Sequence, residues 1–126
     1  MIRSIRTDNA PAAVGSYDQA NAANHMIYTS GQIPIDPVTG ELVPGGAVEQ
    51  CHQVLKNLKA IIKAGGSRME DVVKTTVYVT DLEEYVTINE VYSQYFRGDH
   101  LPARSFVQVA ALPKGALVEI DAVASI

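Results

Sequence analysis

Pro102-Ala103-Arg104-Ser105-Phe106-Val107, answered further on by Val118-Glu119-Ile120, sets one arginine and one carboxylate inside otherwise apolar segments. Residues 103–111 alternate, with Ser105, Val107, Val109 and Ala111 on one face and Arg104, Phe106, Gln108 and Ala110 on the other, as a period-two strand requires. Leu112-Pro113-Lys114-Gly115 supplies turn residues, and residues 116–126 alternate again, so the spacing predicts a β-hairpin of two long strands. Arg104 and Glu119 then share one sheet, each on its strand's less apolar face. Two readings of the pair stay open: a structural ion pair, because partly buried arginine is usually paired, or a working site.

The 126 residues carry no long polar tract, so a single domain over residues 1–126 with a real core is expected. A net charge of −4 and a pI near 5.2 leave no electrostatic footprint for nucleic acid, and no Lys/Arg run replaces it. No apolar stretch approaches a membrane span, and residues 1–6 lack the apolar region of a signal peptide, so a cytoplasmic protein is expected. Cys51 is the only cysteine and cannot form an internal disulfide, in keeping with a reducing compartment.

In chain order, Ile2 to Arg6 reads as an edge strand and Ala20 to Asn24 as a weak one. His25 to Ile33 is a stronger strand, closed by Pro34 and the turn Asp36-Pro37-Val38-Thr39-Gly40. Gly31 inside it marks a bulge or a close approach of backbone to another group. From Ala47 the period becomes helical. Val48, Cys51, Val54, Leu55, Leu58, Ile61 and Ile62 form the apolar stripe, Gln53, Lys56, Asn57 and Lys59 fall on the other side, and Gly65-Gly66 stops the helix. Val72 to Thr80 is a strand, and strand, helix, strand implies a right-handed crossover. Asp81-Leu82-Glu83-Glu84 has the form of a capping box opening a second helix, whose stripe of Leu82, Tyr85, Tyr92 and Phe96 includes Asn89. Asn89 is either a core amide tying down backbone or a ligand contact.

Six strands and two helices predict an α+β two-layer sandwich, a mixed sheet with both helices on one face. The other face would carry Tyr28, Ser30, Thr76, Tyr78, Arg104, Phe106 and Val123, too apolar to stay wet. Burial against other copies of the chain is expected there.

Conventional site chemistry is thin. His25, His52 and His100 are scattered, with no metal-ligand spacing, and no nucleotide-binding or nucleophile-elbow motif occurs. Cys51 on an apolar helix face reads as an inert core thiol. Arg104, Glu119, Tyr17, Ser30 and Asn89 remain.

These residues resemble the reactive intermediate deaminase (Rid, RidA-like) family. Pro102 to Val107 with Val118-Glu119-Ile120 is similar to its C-terminal signature. Ser30-Gly31-Gln32-Ile33-Pro34, Gln53-Val54-Leu55-Lys56-Asn57-Leu58, Val72 to Val77, Asp81, Asn89, Tyr92, Tyr95 and Phe96 extend the likeness over nearly the whole chain. The resemblance implies a chorismate-mutase-like fold, a homotrimer with its sheets packed inward, and active sites in the subunit clefts. It also implies cofactor- and metal-free hydrolysis of 2-imino or 2-enamino acids, such as 2-iminopropanoate and 2-iminobutanoate, to the 2-oxo acid and ammonia.

By the same resemblance Arg104 grips the substrate carboxylate, as a planar guanidinium does well. Glu119 positions and activates water, and Tyr17, Ser30, Gly31 and Asn89 line the pocket. Two departures stand out: Phe106 replaces a frequent cysteine and enters the pocket, and Gly15-Ser16-Tyr17-Asp18-Gln19 differs from the usual Gly-Pro-Tyr-Ser-Gln. A carboxylate-binding regulatory module without turnover, or a ribonuclease or interaction protein, are the alternatives.

Overall fold

The helical period beginning at Ala47 becomes α1 (Ala47–Ala64), in which Cys51, Val54, Leu55, Leu58, Ile61 and Ile62 are fully buried, while Val48 in the first turn is left exposed. The computed structural model describes residues 1–126. Around α1 run β1 (Arg3–Ile5), β2 (Ala20–Ala23), β3 (Met26–Thr29), β4 (Val72–Val79), α2 (Tyr85–Tyr95), β5 (Ala103–Gln108) and β6 (Val118–Ser125). The strands form one mixed sheet in the order β1-β2-β3-β6-β4-β5, with the helices packed together over it as an α+β two-layer sandwich. No helix is long and apolar enough to cross a membrane.

The helix ends follow their sequence signals. Glu49 Oε1 accepts from the backbone N–H of Gly46 at 2.7 Å, satisfying a donor just ahead of the first turn. At the other end a Cβ on Gly65 would lie 2.6 Å from Ile27 Cδ1 and 2.7 Å from Ile5 Cδ1, so only glycine lets β1 and β3 pack there. Ahead of α2, Asp81 Oδ1 accepts from Glu83 N at 2.9 Å, a one-residue shift from the expected capping box. A short 3-10 turn, Leu82–Glu84, then precedes the helix. That shift rotates the stripe. Ile88, Val91, Tyr92 and Phe96 are buried, whereas Leu82 and Tyr85 are not.

The hairpin expected from residues 103–126 does not form. β5 lies parallel to β4, and β6 lies antiparallel to β4 on its opposite edge, so β4 separates the two strands. The cause is the α2 crossover, which returns the chain parallel to β4 and takes the outer slot. The last strand fills the gap between β3 and β4, where Val118, Ile120, Ala122 and Ala124 are all buried. Because β6 is antiparallel to both, β3 and β4 run parallel across it, joined by α1.

Residues paired across a ladder share a face. Thr75, Val77 and Val79 point at the helices, and Arg104 and Phe106, registered with Thr75 and Val77, join them there. The expectation that Arg104 and Phe106 line the open face is therefore incorrect. Tyr28, Thr76, Tyr78 and Val123 do lie on the open face, in register with Glu119, Asp121 and Lys74.

The strong strand read from His25 to Ile33 stops at Thr29. Beyond it the chain is held by Gln32, which bridges to Ile120, and by Asn57. Asn57, expected on the wet side of α1, is fully buried and donates to the carbonyls of Ile33 and Ile35 at 3.3 and 3.0 Å. A helix side chain thus replaces the missing sheet partners of an irregular segment.

Candidate active site

Arg104 emerges from edge strand β5 under α2, which presents Tyr85, Asn89 and Tyr92 on one face at four- and three-residue spacing. Its Nη1 donates to Asn89 Oδ1 at 2.7 Å and its Nη2 to Tyr85 Oη at 2.8 Å. The guanidinium carbon lies 4.8 Å from the Tyr92 ring centroid, 5.3 Å from Phe106 and 5.6 Å from Tyr85, a cation enclosed by three π faces. Tyr92 is fixed by Thr75, whose Oγ1 lies 2.7 Å from its hydroxyl, and its own pKa is raised chiefly by burial. Beside this arrangement opens a cleft of about 420 Å³ bordered by Asn89, Tyr92, Phe96, Leu101, Pro102 and Arg104.

No carboxylate neutralises Arg104. The one ion pair in the chain is the surface pair Arg68–Asp71, so the structural Arg104–Glu119 pair does not exist within a protomer. Asn89 is half-buried and holds the arginine rather than backbone, against its reading as a core amide, and it borders the cleft beside Arg104. Tyr85 is the residue that the sequence reading missed as a site group. Its place one helical turn before Asn89 was the available signal, masked by its assignment to the core stripe.

Glu119 sits on the other face of the sheet, paired with Tyr78. It is half-buried and forms no ion pair. Burial, helped by the negative charge of Asp121, pushes its carboxyl above the ordinary carboxylate range. Asp121 itself accepts from Tyr78 Oη at 3.1 Å. Gly31 presses directly on Glu119: a Cβ there would lie 2.1 Å from Oε2, which explains the glycine inside a strand-like run. Reciprocal backbone bonds between Gln32 and Ile120, at 2.9 and 3.2 Å, clamp that contact.

Ser30 and Tyr17 belong to this second group. Ser30 Oγ donates to Asp18 O at 2.6 Å and its N–H to Gln19 O at 2.9 Å, locking the Gly31 segment to the Tyr17 loop. The Tyr17 ring is half exposed, with its hydroxyl accepting from Val14 N at 3.2 Å. Gln19, not singled out from sequence, is buried and ties the loop together through bonds to Thr7 and Pro11. Tyr17, Gln19, Gly31, Gln32, Pro113 and Lys114 border a cleft of about 280 Å³.

The candidate residues therefore fall into two separate groups in one chain: Arg104 and Asn89 under the helices, with Phe106 packed beside them against the core, and Glu119, Gly31, Ser30 and Tyr17 at the open side. The first can hold an anion by a planar fork, and the second offers a carboxylate of raised proton affinity. No three His, Cys, Asp or Glu side chains converge in a metal-binding arrangement. Burial pushes the Cys51 thiol up to about 12, which removes it as a nucleophile.

Residues 7–126 match the family described as Endoribonuclease L-PSP. A rat protein named 2-iminobutanoate/2-iminopropanoate deaminase is 53% identical over 120 residues, covering 95% of this chain and 87% of its own length. A solved structure from Yersinia pestis, described as a member of the conserved Rid protein family, is 46% identical with a TM-score of 0.97 and full coverage of both chains. TdcF from E. coli, solved with bound serine, is 45% identical with a TM-score of 0.93 and covers 98% of each chain. Matching over nearly the whole length in sequence and in fold, this chain belongs to the Endoribonuclease L-PSP family, whose members include the Rid proteins.

Proposed function

We propose that this protein is a 2-iminobutanoate/2-iminopropanoate deaminase acting as a homotrimer, with Arg104 of one protomer and Glu119 of the next facing a shared cleft. The observation that carries the reading is the guanidinium of Arg104, half-buried, held at both terminal nitrogens, and without a carboxylate. An arginine so placed calls for an anion from outside the chain. Relatives about half identical to this chain bear the deaminase name, and the separate neighbour TdcF was solved with bound serine, itself a small 2-amino carboxylate.

The chemistry follows from the two groups. A protonated 2-imino acid is anchored through its carboxylate by Arg104. Water adds to the imine carbon while Glu119 takes one of its protons, giving a carbinolamine. Return of that proton to nitrogen lets ammonia depart as the C–N bond breaks and the C=O bond forms; the hydroxyl proton released in that step passes to Glu119 and on to the ammonia, and the 2-oxo acid and ammonium leave. Iminium plus water equals oxo acid plus ammonium, so no oxidant, reductant or cofactor enters the balance. The raised proton affinity of Glu119 suits it to both transfers. Gly31, Ser30 and Tyr17 shape the base side, and Phe106 narrows the carboxylate side. A cytoplasmic location, where enzymes that release such imines work on amino acids, completes the reading.

Generating 2-iminobutanoate in situ from an amino acid, with semicarbazide competing to trap it, tests the activity. Addition of the protein should suppress semicarbazone and speed 2-oxobutanoate formation. Unaltered trapping at micromolar protein would remove the enzyme reading.

A further inference from the structure

We propose that Tyr85 is a substrate-binding residue whose hydroxyl accepts a hydrogen bond from Arg104 and donates its own hydrogen to the substrate carboxylate. The inference rests on the deaminase reading and adds a recognition group to that site. Tyr85 reads in the sequence as part of the α2 core stripe, yet it is 39% exposed and its ring stands at the edge of the arginine enclosure. Its hydroxyl oxygen is occupied on one side, taking the Nη2 hydrogen at 2.8 Å. Its own hydrogen meets no acceptor within the chain.

A phenol that accepts from a cation is polarised into a better donor, because bonds in a chain reinforce one another. The ring is also held in place: it packs edge-on against Phe106 at a centroid separation of 4.7 Å, and α2 fixes its backbone one turn from Asn89. Counting donors leads to the same place. Of the five guanidinium hydrogens, Asn89 takes one on Nη1 and Tyr85 one on Nη2, leaving one on each and the one on Nε. A carboxylate offers about four lone-pair positions, more than the bidentate fork fills. A phenolic hydrogen beside the fork supplies a further donor to the same anion, and does so without adding charge.

Two substitutions separate donation from mere support of the arginine. Tyr85→Phe keeps the ring and its packing but loses the hydroxyl. Binding of 2-oxobutanoate, measured by calorimetry, should weaken by about tenfold, with KM for 2-iminobutanoate rising in step and kcat changing less than about threefold. Unchanged affinity would overturn the proposal. 3-Fluorotyrosine installed at position 85 is a stronger donor and a weaker acceptor. It should tighten 2-oxobutanoate binding if the hydroxyl donates to the anion; looser binding would mean that Tyr85 only accepts from Arg104, and the proposal would fall. Wild-type protein that neither binds 2-oxobutanoate nor hydrolyses 2-iminobutanoate would overturn the deaminase reading itself, a result distinct from either variant outcome.

Discussion

Arg104 and Glu119 stand on opposite faces of the same sheet, because Arg104 is registered with Thr75 and Glu119 with Tyr78, three residues apart on β4. A strand's side chains alternate, so an odd separation puts them on opposite sides. Within one protomer the two side chains do not pair. The open face that carries Glu119 also carries Tyr28, Thr76, Tyr78 and Val123, and the proposed shared site requires a second copy packed there to present its Arg104 to this Glu119.

Arg104→Lys keeps the positive charge but loses the planar fork and both of its anchors, Asn89 and Tyr85. Each charge-assisted hydrogen bond lost costs on the order of tenfold or more, so kcat/KM for 2-iminobutanoate should fall at least about a hundredfold. Light scattering should still report a mass near three times the 13.6 kDa of one chain. A lysine variant with most of the wild-type rate would remove the bidentate role.

Gly31→Ala tests the contact on the base. Its methyl would fall on the Glu119 carboxylate, only 2.1 Å from Oε2, and the flexible side chain must swing aside. Misplacement of a reacting group by about 1 Å costs roughly a hundredfold, so activity should drop by about that factor while 2-oxobutanoate affinity falls less. Equal activity in the alanine variant would mean that Glu119 need not sit where it does.

Glu119→Gln has two readouts. The folded pKa of Glu119 is raised above its unfolded value by burial and Asp121, so the ionised carboxylate costs stability once pH exceeds the unfolded value. That cost is complete above the folded pKa and absent below the unfolded one. The glutamine variant should therefore melt at or above the wild-type temperature at neutral pH and lose this margin in acid. Its rate should fall by roughly a hundredfold or more, and the wild-type rate should decline on the acid side at a higher pH than an ordinary glutamate would give. A glutamine variant less stable at neutral pH would place the carboxylate in a stabilising role instead.

Phe106→Cys opens the wall against which Tyr85 packs. The ratio of activities on short and longer 2-imino acids should shift in favour of the longer without loss of either. An unchanged ratio would put Phe106 outside the pocket.

Much of this was legible in the chain because local rules and tertiary demands agree. The α1 stripe, the alternation of β4 and β6, and glycine at position 31 each mean in the structure what they mean in the sequence. Strand neighbours were another matter. The alternation of residues 103–126 fits a hairpin and a split pair equally, and only the α2 crossover, which claims the outer edge of β4, decides between them. The same ambiguity hid the face of Arg104, since an edge strand half-exposed on both sides has no clean apolar side to read. Asn57 and Tyr85 were misassigned for a related reason. A buried amide that replaces sheet bonds and a tyrosine at a helix margin are set by contacts to distant segments, Ile33 and Ile35 for one and Arg104 for the other.

The central claim, one site built from two protomers, is tested most directly by mixing two inactive variants. Arg104→Lys protein retains an intact Glu119, and Glu119→Gln protein retains an intact Arg104. Co-refolded in equal amounts into random trimers, about one site in four would join an intact arginine to an intact glutamate across an interface. The account predicts recovery to about a quarter of the wild-type rate of 2-iminobutanoate hydrolysis. Mixed trimers that stay as inactive as their parents would contradict it, because that is the result of a site contained within a single chain.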